Sequence, residues 1–208
     1  MNGRTSETIG DGSIEVITGC MFSGKTSELI NRVQRARIAG YEVTVFSPDI
    51  DDRYDETAVC SHDEKQVKAQ ILPTNQDGAR QLLERAESDV IAIDEANFFP
   101  NNIIPAIEEL ASRGKTVIVS GLDQTFLGEP FEPMPQLAAL ADTVEKRQAI
   151  CKQCGNVASK NQLLEDGEPV TESDKTVVVG GNSMYEPRCR ECFVASEDTD
   201  TTGLNNKQ

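Results

Sequence analysis

Tryptophan is missing from this sequence, histidine occurs once, and aromatic residues make up only 5% of 208 positions. With 38% hydrophobic residues, the core has to be built from aliphatic side chains. The single His62 reads as a structural, non-catalytic residue. Ser61-His62-Asp63 is not a hydrolytic triad, because triad members converge from separate parts of a chain. Basic residues are scarce, 20 against 35 acidic, and the formal net charge is −15. Such a surface repels phosphate backbones and excludes sequence-independent binding to nucleic acid. A phosphate-bearing ligand would need a local pocket of N–H groups, basic side chains and metal. The acidity has two readings, an ordinary solvated surface or adaptation to a high-salt cytoplasm. Long apolar runs are lacking too: none reaches the roughly 18 residues that cross a bilayer, and residues 1–12 hold no apolar stretch typical of a secretory signal. The six cysteines therefore read as metal ligands or free thiols, and the expected location is the cytoplasm.

What is present is an alternation of strand-like and helix-like segments. Ser13–Thr18 reads as a strand, Lys25–Ala39 as a helix with Leu29, Ile30, Val33 and Ala36 on one face, and Gly40 as its stop. Tyr41–Phe46 reads as a strand, Asp49–Lys65 as a polar loop, Asn75–Ala86 as a helix and Asp89–Ile93 as a buried strand. Ile103–Arg113 and Lys115–Ser120 continue the pattern as helix and strand. Strand–helix alternation of this length predicts an α/β fold, a mostly parallel P-loop-type sheet with helices on both faces. After residue 149 cysteine pairs flank a hairpin-like stretch with Asp166-Gly167 and the run Thr176–Val179. The expected organisation is a disordered N-terminus (1–12), an ATP-binding domain (13–149), a small zinc-ribbon-like domain (150–194) and a disordered acidic tail (195–208).

Gly19-Cys20-Met21-Phe22-Ser23-Gly24-Lys25-Thr26 fits the phosphate-binding loop pattern, with a strand before it and a helix after it. A phosphate chain must be met by several N–H donors at once, so glycines bring the backbone close and the helix N-terminus adds its dipole. Lys25 is placed to bridge the β- and γ-phosphates of ATP, and the Thr26 hydroxyl to sit on Mg²⁺. Asp94 closes the apolar strand, where a carboxylate can hold Mg²⁺ directly or through water. Glu95, one residue on, is the candidate to take a proton from an attacking hydroxyl or from water, a choice the spacing leaves open. Cys151-x-x-Cys154 and Cys189-x-x-Cys192 supply four thiolates, a set that suits tetrahedral Zn²⁺ with no open position, hence a structural site. The 34 residues between these pairs exceed a usual zinc-finger gap and imply a loop with its own task.

These motifs together resemble the type II, cytosolic-type thymidine kinases. The resemblance spans about Ser13 to Phe193 and rests on GCMFSGKTSEL (19–29), DDRY and SHD (51–54, 61–63), IDEANFF (93–99), GLDQTFLGEPF (121–131), CKQCGNVASKNQLLEDGEP (151–169) and VVVGGNSMYEPRCREC (177–192). It implies ATP-dependent transfer of the γ-phosphate to the 5′-OH of thymidine, giving dTMP for nucleotide salvage and DNA synthesis. It also implies a lasso loop between the cysteine pairs, and a homotetramer or homodimer. By resemblance Glu95 is the proton acceptor, and Met21, Phe98, Leu122, Phe126 and Phe131 line the nucleoside pocket. Tyr185 packs at the sugar, and the backbone of Thr176, Val177, Val178, Val179 and Gly180 hydrogen-bonds the thymine ring. Asp51 and Arg53 match the family's loop near the phosphates, and Asn97 joins the nucleotide site at a position where the family usually has Gln. Other departures are Asn161 and Leu163, where Thr and Arg are common, and Leu127 in place of a frequent Arg.

Two other readings compete with a nucleoside kinase. A P-loop ATPase with Glu95 activating water leaves the zinc-anchored loop without a purpose. A zinc-ribbon module for nucleic acid or a protein partner conflicts with the net-acidic balance of 151–193.

Overall fold

The computed structural model describes residues 12–49, 58–60, 66–172 and 184–195. The expected disordered ends, the Asp51 and Arg53 loop, His62 and the Thr176–Gly180 run lie outside the described residues, apart from Gly12 and Ala195. The described chain divides into two compact units. The first comprises residues 12–19, Gly24–Asp123 and Phe131–Arg147, and the second Cys20–Ser23, Gln124–Pro130 and residues 148–195.

The first unit begins with strand β1 (Ser13–Gly19) and helix α1 (Lys25–Ile38), followed by β2 (Val43–Pro48). A short hairpin β3 (Ala58–Cys60) and β4 (Gln66–Lys68) precedes β5 (Gln70–Leu72), α2 (Gln76–Arg85) and β6 (Val90–Ile93). A 3-10 turn at Ala96–Phe98, α3 (Ile103–Ser112), β7 (Thr116–Gly121), α4 (Met134–Leu140) and β8 (Thr143–Arg147) complete it. Six strands form one sheet in the order β5-β2-β6-β7-β1-β8, and every neighbouring pair is parallel. The expected mostly parallel α/β sheet is borne out.

Period-two alternation distributes the strand residues between two cores. In β6, Ile91 and Ile93 join Leu82, Ile103, Ile107, Leu110 and Leu137 from α2, α3 and α4. Val90 and Ala92 face the other way, onto Leu29, Ile30, Val33 and Ala36 of α1. Helices thus cover both faces. Because the strands run parallel, the C-terminal ends of β1, β6 and β7 lie at the same edge of the sheet, the edge where open parallel sheets hold ligands.

Two local readings need correction, and two elements have no reading. The second strand starts at Val43, because Tyr41 N–H donates to Ala36 C=O (3.1 Å) and closes the end of α1. The stretch read as loop contains strand β3. Helix α4 and strand β8 carried no strong periodic signal: β8 is an edge strand on which Val144 is 47% exposed, so its sequence does not alternate between core and solvent.

In the second unit β9 (Ala149–Ile150) pairs antiparallel with β10 (Val157–Ala158). Strand β11 (Lys160–Glu165) pairs antiparallel with both β12 (Glu168–Pro169) and β13 (Tyr185–Arg188). Asp166 and Gly167, both at positive φ (51° and 87°), make the two-residue turn from β11 to β12, as an Asp-Gly pair favours.

Candidate functional site

The loop after β1 is shaped by its glycines. Gly19 has φ 139°, and a Cβ there would stand 2.1 Å from the Arg147 carbonyl oxygen across the β1–β8 pairing, so no larger residue fits. Gly24, at φ 77°, precedes α1 and caps it without a side-chain bond. Glu28 N–H donates to Gly24 C=O as the first rung of the helix, and the N-terminal end of the α1 dipole faces the loop. Lys25 follows at only 6% exposure, a placement that needs anionic company for its ammonium.

That company includes Asp94, 4% exposed, just beyond the end of β6. Asp94 Oδ1 accepts from Ser120 Oγ at 2.6 Å. Burial pushes the Asp94 carboxyl upward, against the Ser120 hydroxyl, the Glu95 N–H, the Lys25 charge and the Thr26 hydroxyl. Lys25, Thr26 and Asp94 thus lie together, and Ser120 is a fourth member that motif reading missed. The parallel pairing of β6 with β7 was the signal that could have found it.

Glu95 adopts φ 49°, a left-handed backbone that costs a non-glycine residue about 1–3 kcal/mol and marks sites where function over-rides comfort. Its carboxyl is partly buried. Burial first, and then the Asp94 carboxylate, push it up to about 7, with Lys25 pulling the other way. A carboxyl held near neutrality can accept a proton from a hydroxyl and release it again. Asn97, in the turn that follows, is 3% exposed, and its Oδ1 accepts from Leu122 N–H at 2.9 Å. Its Nδ2 has no partner among the described residues, a buried donor suited to an arriving polar group. Phe98 and Phe131 meet edge to face at 6.1 Å between centroids.

In the second unit, Ser23 Oγ donates to Cys20 C=O at 2.7 Å, bracing the middle of the loop. Met21 N–H donates to Asn161 Oδ1 at 2.7 Å, while Asn161 Nδ2 donates to Gln124 C=O at 3.0 Å. Asn161, 3% exposed, is thereby a strut between the loop and the Gln124–Pro130 segment. The sequence showed it only as a departure from Thr. Phe126 and Tyr185 meet edge to face at 6.5 Å between centroids. The structure thus places the expected pocket residues in two groups: Leu122, Phe98 and Phe131 with Asn97 in the first unit, Met21, Phe126 and Tyr185 in the second.

The sulfurs of Cys151, Cys154, Cys189 and Cys192 all lie within 4.8 Å of one another. Tetrahedral zinc with Zn–S bonds of about 2.3 Å needs sulfurs about 3.8 Å apart, and the Cys154–Cys189 pair is at 3.6 Å. Burial alone would raise the Cys151 thiol, but the N–H groups of Cys189, Cys154 and Gln153 outweigh it and bring it down to about 6. Contact with Cys189 first, and then with Cys154, pushes Cys192 up to about 12. Four crowded thiols cannot all ionise unless a cation sits among them, so the donor set fits zinc.

Comparison with known proteins follows the geometry. The sequence model of the family described as thymidine kinase matches residues 12–193. The thymidine kinases of two strains of Halobacterium salinarum are 48% identical over 188 residues, covering 90% of this chain and 96% of theirs. The thymidine kinase of Haloquadratum walsbyi is 45% identical, covering 88% of this chain and 95% of its own. Among solved structures, the flagellar accessory protein FlaH from Methanocaldococcus jannaschii overlaps with a TM-score of 0.47 at 16% identity, over 73% of this chain and 77% of that one.

Proposed function

The chain belongs to the thymidine kinase family, and we propose from that membership and from the site that it transfers the γ-phosphate of ATP to the 5′-OH of thymidine, releasing dTMP and ADP. One observation carries the reading: a phosphate loop whose buried Lys25 stands in the field of Asp94, with a proton acceptor at Glu95.

The loop N–H groups and Lys25 hold the triphosphate and favour charge moving towards the β–γ bridge. Thr26 and Asp94 are the residues that would hold Mg²⁺, with Ser120 orienting Asp94. When bound, that ion offsets the phosphate charge during transfer. Glu95 takes the proton as the 5′ oxygen attacks phosphorus, and the β–γ bridging oxygen leaves with ADP. Family resemblance assigns nucleoside contacts to Leu122, Phe98 and Phe131, and likewise to Met21, Phe126 and Tyr185. Asn97 adds a polar contact on the nucleotide side, together with Asp51 and Arg53. Thr176, Val177, Val178, Val179 and Gly180 offer backbone groups to the thymine ring. Zinc on the four cysteines anchors the segment that carries them. The division at about residue 149, a homodimer or homotetramer, and a cytoplasmic location complete the reading.

A panel of nucleosides incubated with the protein, ATP and Mg²⁺ tests it. Thymidine should yield dTMP and stoichiometric ADP, whereas phosphate release without nucleoside, and no nucleotide product with any of the panel, would refute the assignment.

A further inference from the structure

The middle of the phosphate loop, Cys20–Ser23, belongs to the same compact unit as the four cysteines. Cys20 is fully buried in one apolar cluster with Ala149, Cys151, Ala158 and Cys189, and Cys192 packs against that cluster. Its Sγ donates to Ala158 C=O at 3.4 Å, and three residues further on Asn161 Oδ1 accepts from Met21 N–H at 2.7 Å. Two consecutive loop residues are thus gripped by one short stretch, 158–161. Each end of that stretch is tied to a cysteine pair. On one side Ala158 pairs with Ala149 in the hairpin whose turn is the first pair, where Cys151 N–H donates to Asn156 C=O and Gly155 N–H to Cys151 C=O. On the other side Ser159 N–H donates to Arg188 C=O at 3.2 Å, and Lys160 and Asn161 stand opposite Arg188 and Pro187, the residues that lead into Cys189. The grip falls on a single planar peptide unit. Its N–H, from Met21, is held by Asn161, and its C=O, from Cys20, accepts from Ser23 Oγ at 2.7 Å. The next residue, Phe22, takes a positive φ of 62°, so the turn of the loop follows directly from the unit so fixed.

We propose, on the reading of Gly19–Thr26 as the ATP site and of the four cysteines as a zinc site, that Cys20 and Asn161 are positioning residues for ATP, through which the cysteine pairs, once closed on zinc, hold the phosphate loop in its binding shape. A phosphate chain is bound by several N–H groups that must converge, and a loop already held in shape does not spend binding energy on being ordered. The cysteine pairs therefore serve ATP as well as the segment that runs between them. A site that served that segment alone would give no reason for Ala158 and Asn161 to hold two residues of the loop.

The test uses the full chain and measures the ATP dissociation constant with one Zn²⁺ bound and after zinc is removed under reducing conditions, with the melting midpoint followed in each state. Removing zinc should raise the constant at least about tenfold, and adding Zn²⁺ back should restore it. In zinc-loaded Asn161→Ala the constant should already stand about tenfold higher, and removing zinc should then add no more than about twofold, a non-additivity that marks a shared path and that a general loss of stability would not give. Cys20→Ala should raise the constant about threefold with zinc retained, and Cys20→Ser, which keeps a donor for Ala158 C=O, should recover most of the loss. If the zinc-free parent unfolds, the zinc-loaded variants decide, and if Asn161→Ala does not fold, the two Cys20 variants decide. Equal ATP binding with and without zinc in the folded parent, or unchanged ATP binding in the folded zinc-loaded variants, overturns the proposal whatever the midpoint does. Lys25→Ala separates the levels. Loss of ATP binding there, with ATP binding elsewhere indifferent to zinc, defeats only the coupling, whereas normal ATP binding by Lys25→Ala defeats the phosphate-loop reading, and a parent chain that takes up no Zn²⁺ defeats the zinc reading.

Discussion

Replacing Glu95 with Gln keeps the size of the side chain and removes its charge, and the structure sets two opposite consequences. As proton acceptor for the 5′-OH, Glu95 should be worth about 10²–10⁴-fold in turnover. As a crowded carboxylate beside Asp94, it should cost stability. Its ordinary value of 4.5 rises to about 7 on folding. Below 4.5 the carboxyl is protonated in both states and nothing is lost. From 4.5 to 7 the unfolded chain gives up its proton while the folded chain keeps it, so stability falls as pH rises, and above 7 the deficit is complete. At about 1.4 kcal/mol for each pH unit, the gap corresponds to about 3 kcal/mol. Part of the Glu95 surface meets solvent, which screens the charge and brings the expectation to about 1–2 kcal/mol. For a chain of this size that is a rise of about 2–8 °C in melting midpoint for Glu95→Gln at pH 8. Melting without Mg²⁺ or nucleotide, with zinc retained, isolates the carboxyl from the catalytic cation, and the gain should largely vanish at pH 5. Steady-state kinetics with thymidine complete the experiment. Near-normal turnover would refute the proton-acceptor role, and a midpoint at pH 8 equal to or below that of the parent would refute the buried-charge argument.

One Zn²⁺ per chain should co-purify, and Cys151→Ser or Cys192→Ser should lose it together with activity, as metal analysis and kinase assay would show. Asn161→Ala leaves Met21 N–H and Gln124 C=O without their partner and should cost about 2 kcal/mol, read by denaturant unfolding, with a raised thymidine KM; an unchanged midpoint and KM would remove its role as a strut. With a net charge of −15, raising KCl from about 0.1 M to about 2 M shrinks the Debye length from roughly 10 Å to under about 3 Å. Stability and activity should both rise if repulsion between surface carboxylates dominates; a midpoint that stays level or falls rules out salt adaptation.

The sheet and its helices were legible because long apolar segments repeat at two distinct periods. Leu29, Ile30, Val33 and Ala36 recur at helical spacing, while Val90–Ile93 is buried on both faces. The phosphate loop, Asp94-Glu95 and the cysteine pairs were legible because each is short and local. Ser120 and Asn161 escaped because their roles arise from partners 26 to 140 positions away in the chain, which a local pattern does not contain. Strand β8 escaped for a different reason: paired with β1 alone among the described residues, it needs little apolar content to hold its place. The thymine-binding role of Thr176–Gly180 comes from family resemblance alone, since those residues lie outside the described part of the chain.

That one-sided strand has a consequence for solubility. Among the described residues no strand pairs with the outer rim of β8, and such a rim is a template on which another extended chain could grow. Three successive charges, Glu145, Lys146 and Arg147, line this rim, and each is tethered inward, to Arg32, Asp123 and Glu28 respectively. A strand adding to the rim would have to strip water from these groups and break their ties, and the cost would recur with every added copy. The charges beside the phosphate loop thus also discourage fibre growth.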